Sequence, residues 1–139
     1  MIVVVDTNVV VSSLLRAGKP RKVIATILQS DSFDWVISEA IRKEYEDVIC
    51  RPKFHLHTEV IEDWFRIFSS LTRIDDSNVK AEFPRDPTDE KFLRCCLASD
   101  AKYFITGDGD FRETKRIGQT FVISCSDFLS YLESINTGN

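Results

Sequence analysis

The stretch Ile2-Val3-Val4-Val5 limits the fold more than any other part of the chain. Four β-branched residues in a row, with no polar alternation, make a strand that is buried on both faces. Such a strand belongs inside a parallel sheet covered by helices on either side. Asp6 follows at once, so the run that should lie deepest in the sheet ends on a carboxylate.

The rest of the chain alternates in the same sense. Residues 8–16 read as a helix closed by Gly18, and residues 20–30 as a second, with Val23, Ile24, Ile27 and Leu28 at helical spacing. Residues 33–37 form a strand. Ser38 is placed to cap a helix that runs to about Cys50 and stops before Pro52. Thr58 opens a helix whose Val60, Ile61, Trp64, Phe65, Ile67, Phe68 and Leu71 make a broad apolar face, suited to a core or to a subunit contact. A short strand is expected near 73–75, a polar loop over 76–87, and a helix from Thr88 or Asp89 to about Ser99. A strand over 103–106 leads into a turn through Gly107 and Gly109. Residues 121–123 are the last expected strand, and Ser126 is read as the cap of a terminal helix to about Ser134. The order is that of an α/β fold with a mainly parallel sheet, residues 1–139 forming one domain without repeat or linker. Sheets of this kind place their sites beyond the carboxyl ends of the strands.

Bulk properties narrow the function classes. No apolar run approaches the ~18–20 residues that span a bilayer. The first residues lack a basic leader and a cleavage site, so a strand is expected in place of a signal peptide, and a cytoplasmic location with it. The four cysteines, Cys50, Cys95, Cys96 and Cys125, have no zinc-like spacing and are read as buried reduced thiols. His55 and His57 are read as surface loop residues. The net charge of −4 argues against gripping nucleic acid by bulk electrostatics, but four acids proposed below as metal ligands account for it.

Those four break the apolar pattern. Asp6 ends the first strand, and Asp108 lies two residues beyond the strand at 103–106. Glu44 falls within the stripe Ile41, Tyr45 and Val48. Asp89 precedes the stripe Phe92, Leu93 and Cys96 at helical intervals. Glu39, Glu46, Asp47 and Glu90 read as solvent-facing by the same test. A buried carboxylate costs several kcal/mol unless it is paired, hydrogen-bonded, protonated or metal-bound. No basic residue occupies an equivalent inward position, so a cation is the expected compensation. Oxygen donors without His or Cys favour Mg²⁺ or Mn²⁺, suited to in-line phosphoryl displacement. Asp110 and Asn8 are placed to support the ligands. Each acid also has a plainer reading: a helix cap for Asp6, an Arg partner for Glu44, a dipole-favoured acid for Asp89 and a turn former for Asp108.

The segments Val5-Asp6-Thr7-Asn8, Glu44 within residues 38–52, Arg85-Asp86-Pro87-Thr88-Asp89 and Ile105-Thr106-Gly107-Asp108-Gly109-Asp110-Phe111 together resemble those of the PIN-domain family. The resemblance covers essentially the whole chain. It is nearest to bacterial and archaeal PIN proteins described as toxins of toxin–antitoxin pairs. It implies a Rossmann-like three-layer sandwich and a ribonuclease dependent on Mg²⁺ or Mn²⁺; single-stranded RNA is the expected substrate over duplex, because nothing in the chain spans two grooves. It also implies a homodimer and a cognate antitoxin protein. Carried over, Asp6, Glu44, Asp89 and Asp108 match the acidic quartet and Asp110 an accessory metal acid, with Asn8, Thr106 and Asp86 in support. Asp86 competes for the third place, and the helical stripe favours Asp89.

Arg85, Arg112, Lys115, Arg116, Arg42 and Lys43 are the cations expected near the rim. A catalytically quiet PIN fold that binds RNA or protein is the alternative. A haloacid-dehalogenase-like phosphatase would want a second Asp where Asn8 stands, and no phosphate-binding glycine loop of the P-loop type is present.

Overall fold

The computed structural model describes residues 1–77, 87–107 and 116–137. Among these residues the order is β1 (Ile2–Val5), α1 (Thr7–Leu15), α2 (Lys19–Gln29), β2 (Asp34–Ile37) and α3 (Glu39–Ile49). A 3-10 turn (Pro52–Phe54), α4 (Thr58–Ser70), β3 (Arg73–Ile74) and α5 (Pro87–Ser99) follow. The order closes with β4 (Tyr103–Ile105), β5 (Arg116–Ile117), β6 (Thr120–Ile123) and α6 (Cys125–Thr137).

The strands form one six-stranded sheet in the order β3-β2-β1-β4-β6-β5. Every pairing is parallel except β5 with β6. The β-branched run is central, as expected, and Val3, Val4 and Val5 are fully buried.

Register assigns the two faces. Val3 stands opposite both Trp35 and Tyr103, so those rings share a face. Trp35 packs on Tyr45 of α3 and Phe68 of α4, at 5.9 and 6.2 Å between centroids. Tyr103 packs on Phe128 and Tyr131 of α6. On the other face Phe104 stacks on Phe92 of α5 at 5.6 Å, and the Cys95 thiol reaches the carbonyl of Val36. Helices on both faces of a mostly parallel sheet give the three-layer α/β sandwich expected of the sequence.

Several local details differ from the sequence-based expectation. Ser38 does cap α3, its hydroxyl accepting from the Ile41 amide at 3.2 Å. The terminal helix, however, is capped by Ser124, which accepts from the Asp127 amide at 3.1 Å. Ser126 instead accepts from Lys19 Nζ at 2.9 Å. The hairpin of β5 and β6 was not expected, because two residues are too few to show a period. It turns on Gly118 at φ +58, where a Cβ would meet Leu97 at 2.9 Å. On α4 only Phe68 is fully buried; Ile61, Trp64, Phe65 and Ile67 are half-buried, and Leu71 is 58% exposed. Cys95 and Cys96 are buried, but Cys125 is half-buried and Cys50 is exposed. Cys50 ends up outside because it is the C-cap of α3, one residue past buried Ile49.

Candidate active site at the switch point of the sheet

Strand order reverses at β1, with β2 and β3 to one side and β4, β6 and β5 to the other. The crevice beyond the carboxyl ends of β1 and β4 is therefore the place where an α/β sheet forms a site. Val5 and Ile105 are register partners there, and the Asp6 amide continues the ladder by donating to the Ile105 carbonyl at 2.9 Å. Asp6 stands at the N-cap position of α1, yet its side chain makes no capping bond. Its Oδ2 accepts instead from the fully buried Thr106 hydroxyl at 2.6 Å, and the residue is only 6% exposed. This answers the plainer reading of Asp6. A carboxylate held in the interior by a side chain of the neighbouring strand is not acting as a helix cap.

Glu44 approaches the same place from α3. The fully buried stripe of that helix is Ile41, Tyr45 and Ile49, while Val48 is half-buried, so Glu44 lies on the flank of the stripe. Two hydroxyls tie α3 to the end of β1. The Tyr45 phenol donates to the carbonyl of Val5, and the Thr7 hydroxyl donates to Glu44 Oε2. Thr7 follows Asp6 in the chain, so its hydroxyl brings Glu44 to the residue next to Asp6.

The second oxygen of Glu44 corrects the expectation that no base reaches inward. Lys91 Nζ of α5 stands 2.5 Å from Glu44 Oε1, with side chains 23% and 25% exposed. Lys91 sits on the flank of α5 beside buried Phe92, where its stem covers apolar surface while its ammonium reaches across to α3. The plainer reading of Glu44 as a salt-bridge partner thus holds in part, with Lys in place of Arg. Position on α5 relative to the apolar stripe could have flagged Lys91; the reach of a four-carbon stem could not be read from spacing.

Lys91 also lines a cleft of about 330 Å³ with Ser38, Asp75, Asp76, Ser77 and Arg94. Asp76 accepts from the Glu39 amide at 3.0 Å, placing an acid at the N-terminus of α3. Hydrogen bonds from Ser77 hold the Asp75 carboxyl below its usual value. Burial pushes the Cys95 thiol in the cleft wall up to about 12 and the Tyr45 phenol well above its usual value, so both stay protonated at neutral pH.

The other expected site residues are placed unevenly. Asp89 is the third residue of α5, in its first turn; its side chain lies outside the described residues, as do Asp86, Asp108 and Asp110. Among the described residues no three His, Cys, Asp or Glu side chains cluster closely enough to hold a metal. Asn8 is exposed, and the hydroxyls of Thr7 and Thr106, not Asn8, contact the acids. Arg42 pairs with Glu39 at 2.6 Å, and Lys43 is exposed. Arg116 lies level with Phe121 and hence with Val3, two residues short of the rim, its guanidinium 5.1 Å from the Phe121 ring centroid. Arg85, Arg112 and Lys115 lie outside the described residues. His55 and His57 are exposed, as expected.

The family model for the PIN domain matches residues 2–110, a span that includes Asp6, Glu44, Asp86, Asp89, Asp108 and Asp110. The chain belongs to the PIN-domain family. PIN domains are generally nucleases and typically use divalent metals, so phosphodiester hydrolysis is the kind of activity membership supports. No curated protein and no solved structure matched the chain. Among the described residues of this PIN domain, no helix is long and apolar enough to cross a membrane. Hard oxygen donors, one deeply buried and one on the flank of α3, fit the chemistry of Mg²⁺ or Mn²⁺ better than that of a softer metal.

Proposed function

We propose that this PIN domain is an Mg²⁺- or Mn²⁺-dependent endoribonuclease that hydrolyses phosphodiester bonds of single-stranded RNA. The observation that carries the reading is Asp6, buried at the switch point and held by Thr106, with its chain neighbour Thr7 donating to Glu44. Asp6, Glu44, Asp89 and Asp108 are assigned as metal ligands and Asp110 as an outer one, with Thr106, Asn8 and Asp86 in support. A bound divalent cation would supply Lewis-acid stabilisation of an in-line displacement and an acidified water. In this reading Thr106 fixes the orientation of the Asp6 carboxylate, and Tyr45 and Thr7 hold α3 so that Glu44 faces it. The chain acts in the cytoplasm as the toxin of a toxin–antitoxin pair, restrained by a cognate antitoxin. It works as a homodimer, a state that the half-covered apolar face of α4 favours.

Labelled single-stranded RNA is expected to be cut with Mg²⁺ or Mn²⁺, with loss of cutting in EDTA. Asp6→Asn and Asp89→Asn are each expected to slow cleavage by roughly 100-fold or more. Cleavage that continues unchanged in both variants contradicts the assignment. The engagement of both Glu44 oxygens by Lys91 and Thr7 favours a second reading, a quiet PIN fold that binds RNA or protein. RNA binding without cleavage across several metals would support it.

A further inference from the structure

Glu44 is an assigned metal ligand, yet Lys91 Nζ already holds its Oε1 and the Thr7 hydroxyl its Oε2. An ammonium 2.5 Å from Oε1 takes one of its lone pairs and repels a divalent ion, so the two compete for Glu44. The described geometry also contains somewhere for that ammonium to go. Lys91 lines the cleft of about 330 Å³ whose walls carry Asp75 and Asp76 and the hydroxyl-bearing Ser38 and Ser77. Arg94, the other cation of that cleft, is engaged by Glu90 at 2.6 Å on its own helix. Asp75 stays ionised because Ser77 donates to it. The cleft that Lys91 lines therefore also carries negative charge, and the four-carbon lysine stem is flexible.

We propose that Lys91 is an exchangeable internal counter-ion of the metal centre. With no metal bound its ammonium neutralises Glu44; the divalent cation displaces it into the adjacent cleft, where Asp75 receives it. The inference rests on the metal-centre reading given above and adds to it a positioning residue that sets metal affinity. No covalent bond is made or broken, and total charge is conserved as the ammonium passes from one carboxylate to another. Two consequences follow from Coulomb's law. Lys91 competes with the metal, so it weakens binding, and Asp75 relieves that competition only while Lys91 is present.

Mn²⁺ titration of the intact protein without RNA, followed by the electron paramagnetic resonance of the free ion, reads this directly. Lys91→Met is expected to bind Mn²⁺ about three- to tenfold more tightly than the wild type, the scale of one positive charge about 6–12 Å from a divalent ion at water-like dielectric. Lys91→Arg is expected to stay within about twofold of the wild type, because the charge remains. Asp75→Asn is expected to weaken binding about twofold in the wild type and to change nothing in the Lys91→Met background, a non-additivity that a general field effect would not produce. Circular dichroism and thermal melts confirm that each variant is folded. Should Lys91→Met fail to fold, the Lys91→Arg and Asp75→Asn titrations still decide: Mn²⁺ affinity unchanged in Asp75→Asn overturns the proposal. Unchanged or weaker binding in a folded Lys91→Met means that Lys91 only braces Glu44, and also overturns it. If the wild type takes up no Mn²⁺, or uptake survives Asp6→Asn, the metal-centre reading itself fails and the exchange with it.

Discussion

The two proposed metal ligands whose side chains are described, Asp6 and Glu44, are held in opposite ways. Asp6 belongs to the sheet: its amide extends the ladder to Ile105, its carboxylate accepts from Thr106, and solvent barely reaches it. Glu44 belongs to a helix flank, a quarter exposed, and among the described residues it is held by side chains from two other elements, Thr7 and Lys91. Strand pairing fixes the first position to within the geometry of a hydrogen-bond ladder. The second depends on packing between helices and on the ion pair with Lys91. In the proposed metal centre this makes one rigid wall and one adjustable wall, the adjustable one being where Lys91 would yield to a cation.

That contrast orders the expected effects of small changes. Thr106→Val keeps shape but removes a donor from a buried carboxylate, and is expected to cost about 1.5–3 kcal/mol in urea unfolding. Tyr45→Phe keeps the ring packed on Trp35 and Phe68 and is expected to cost about 1 kcal/mol at neutral pH. Its pH dependence has a defined sign. Burial raises the Tyr45 phenol in the folded state above its unfolded value near 10, so the stabilisation is complete below that pH and declines as pH rises through it. The gap between wild type and Tyr45→Phe should accordingly close above about pH 10 in thermal melts. Thr7→Val removes a buried hydroxyl from a carboxylate that is a quarter exposed and can turn to water, and is expected to cost only about 0.5–1 kcal/mol. A loss for Thr7→Val equal to that for Thr106→Val would erase the distinction between the two walls.

The sequence made the rigid wall legible and the adjustable wall only partly so. An uninterrupted β-branched run ending on Asp6 and a second apolar segment ending at Thr106 place both at the same rim, since a buried parallel sheet allows few alternatives. Helical spacing put Glu44 near the core but misjudged its flank by taking Val48, not Ile49, as the next buried position. The Lys91 contact crosses 47 positions between two helices and depends on a long side chain lying along the surface, which no local period encodes. Ser124 and Ser126 both have the chemistry of a cap, and the choice turns on β6 running to Ile123, which its pairing with β4 fixes. The two-residue β5 and the Pro52–Phe54 turn are too short to announce themselves by pattern.

Crystals of the protein soaked in Mn²⁺, with anomalous differences measured near the manganese absorption edge, test the central claim most directly. The expected result is an anomalous peak about 2 Å from carboxylate oxygens of both Asp6 and Glu44, with the Lys91 ammonium withdrawn into the cleft beside Asp75. A fully occupied lattice with no peak between Asp6 and Glu44, and with Lys91 still on Glu44, would contradict it.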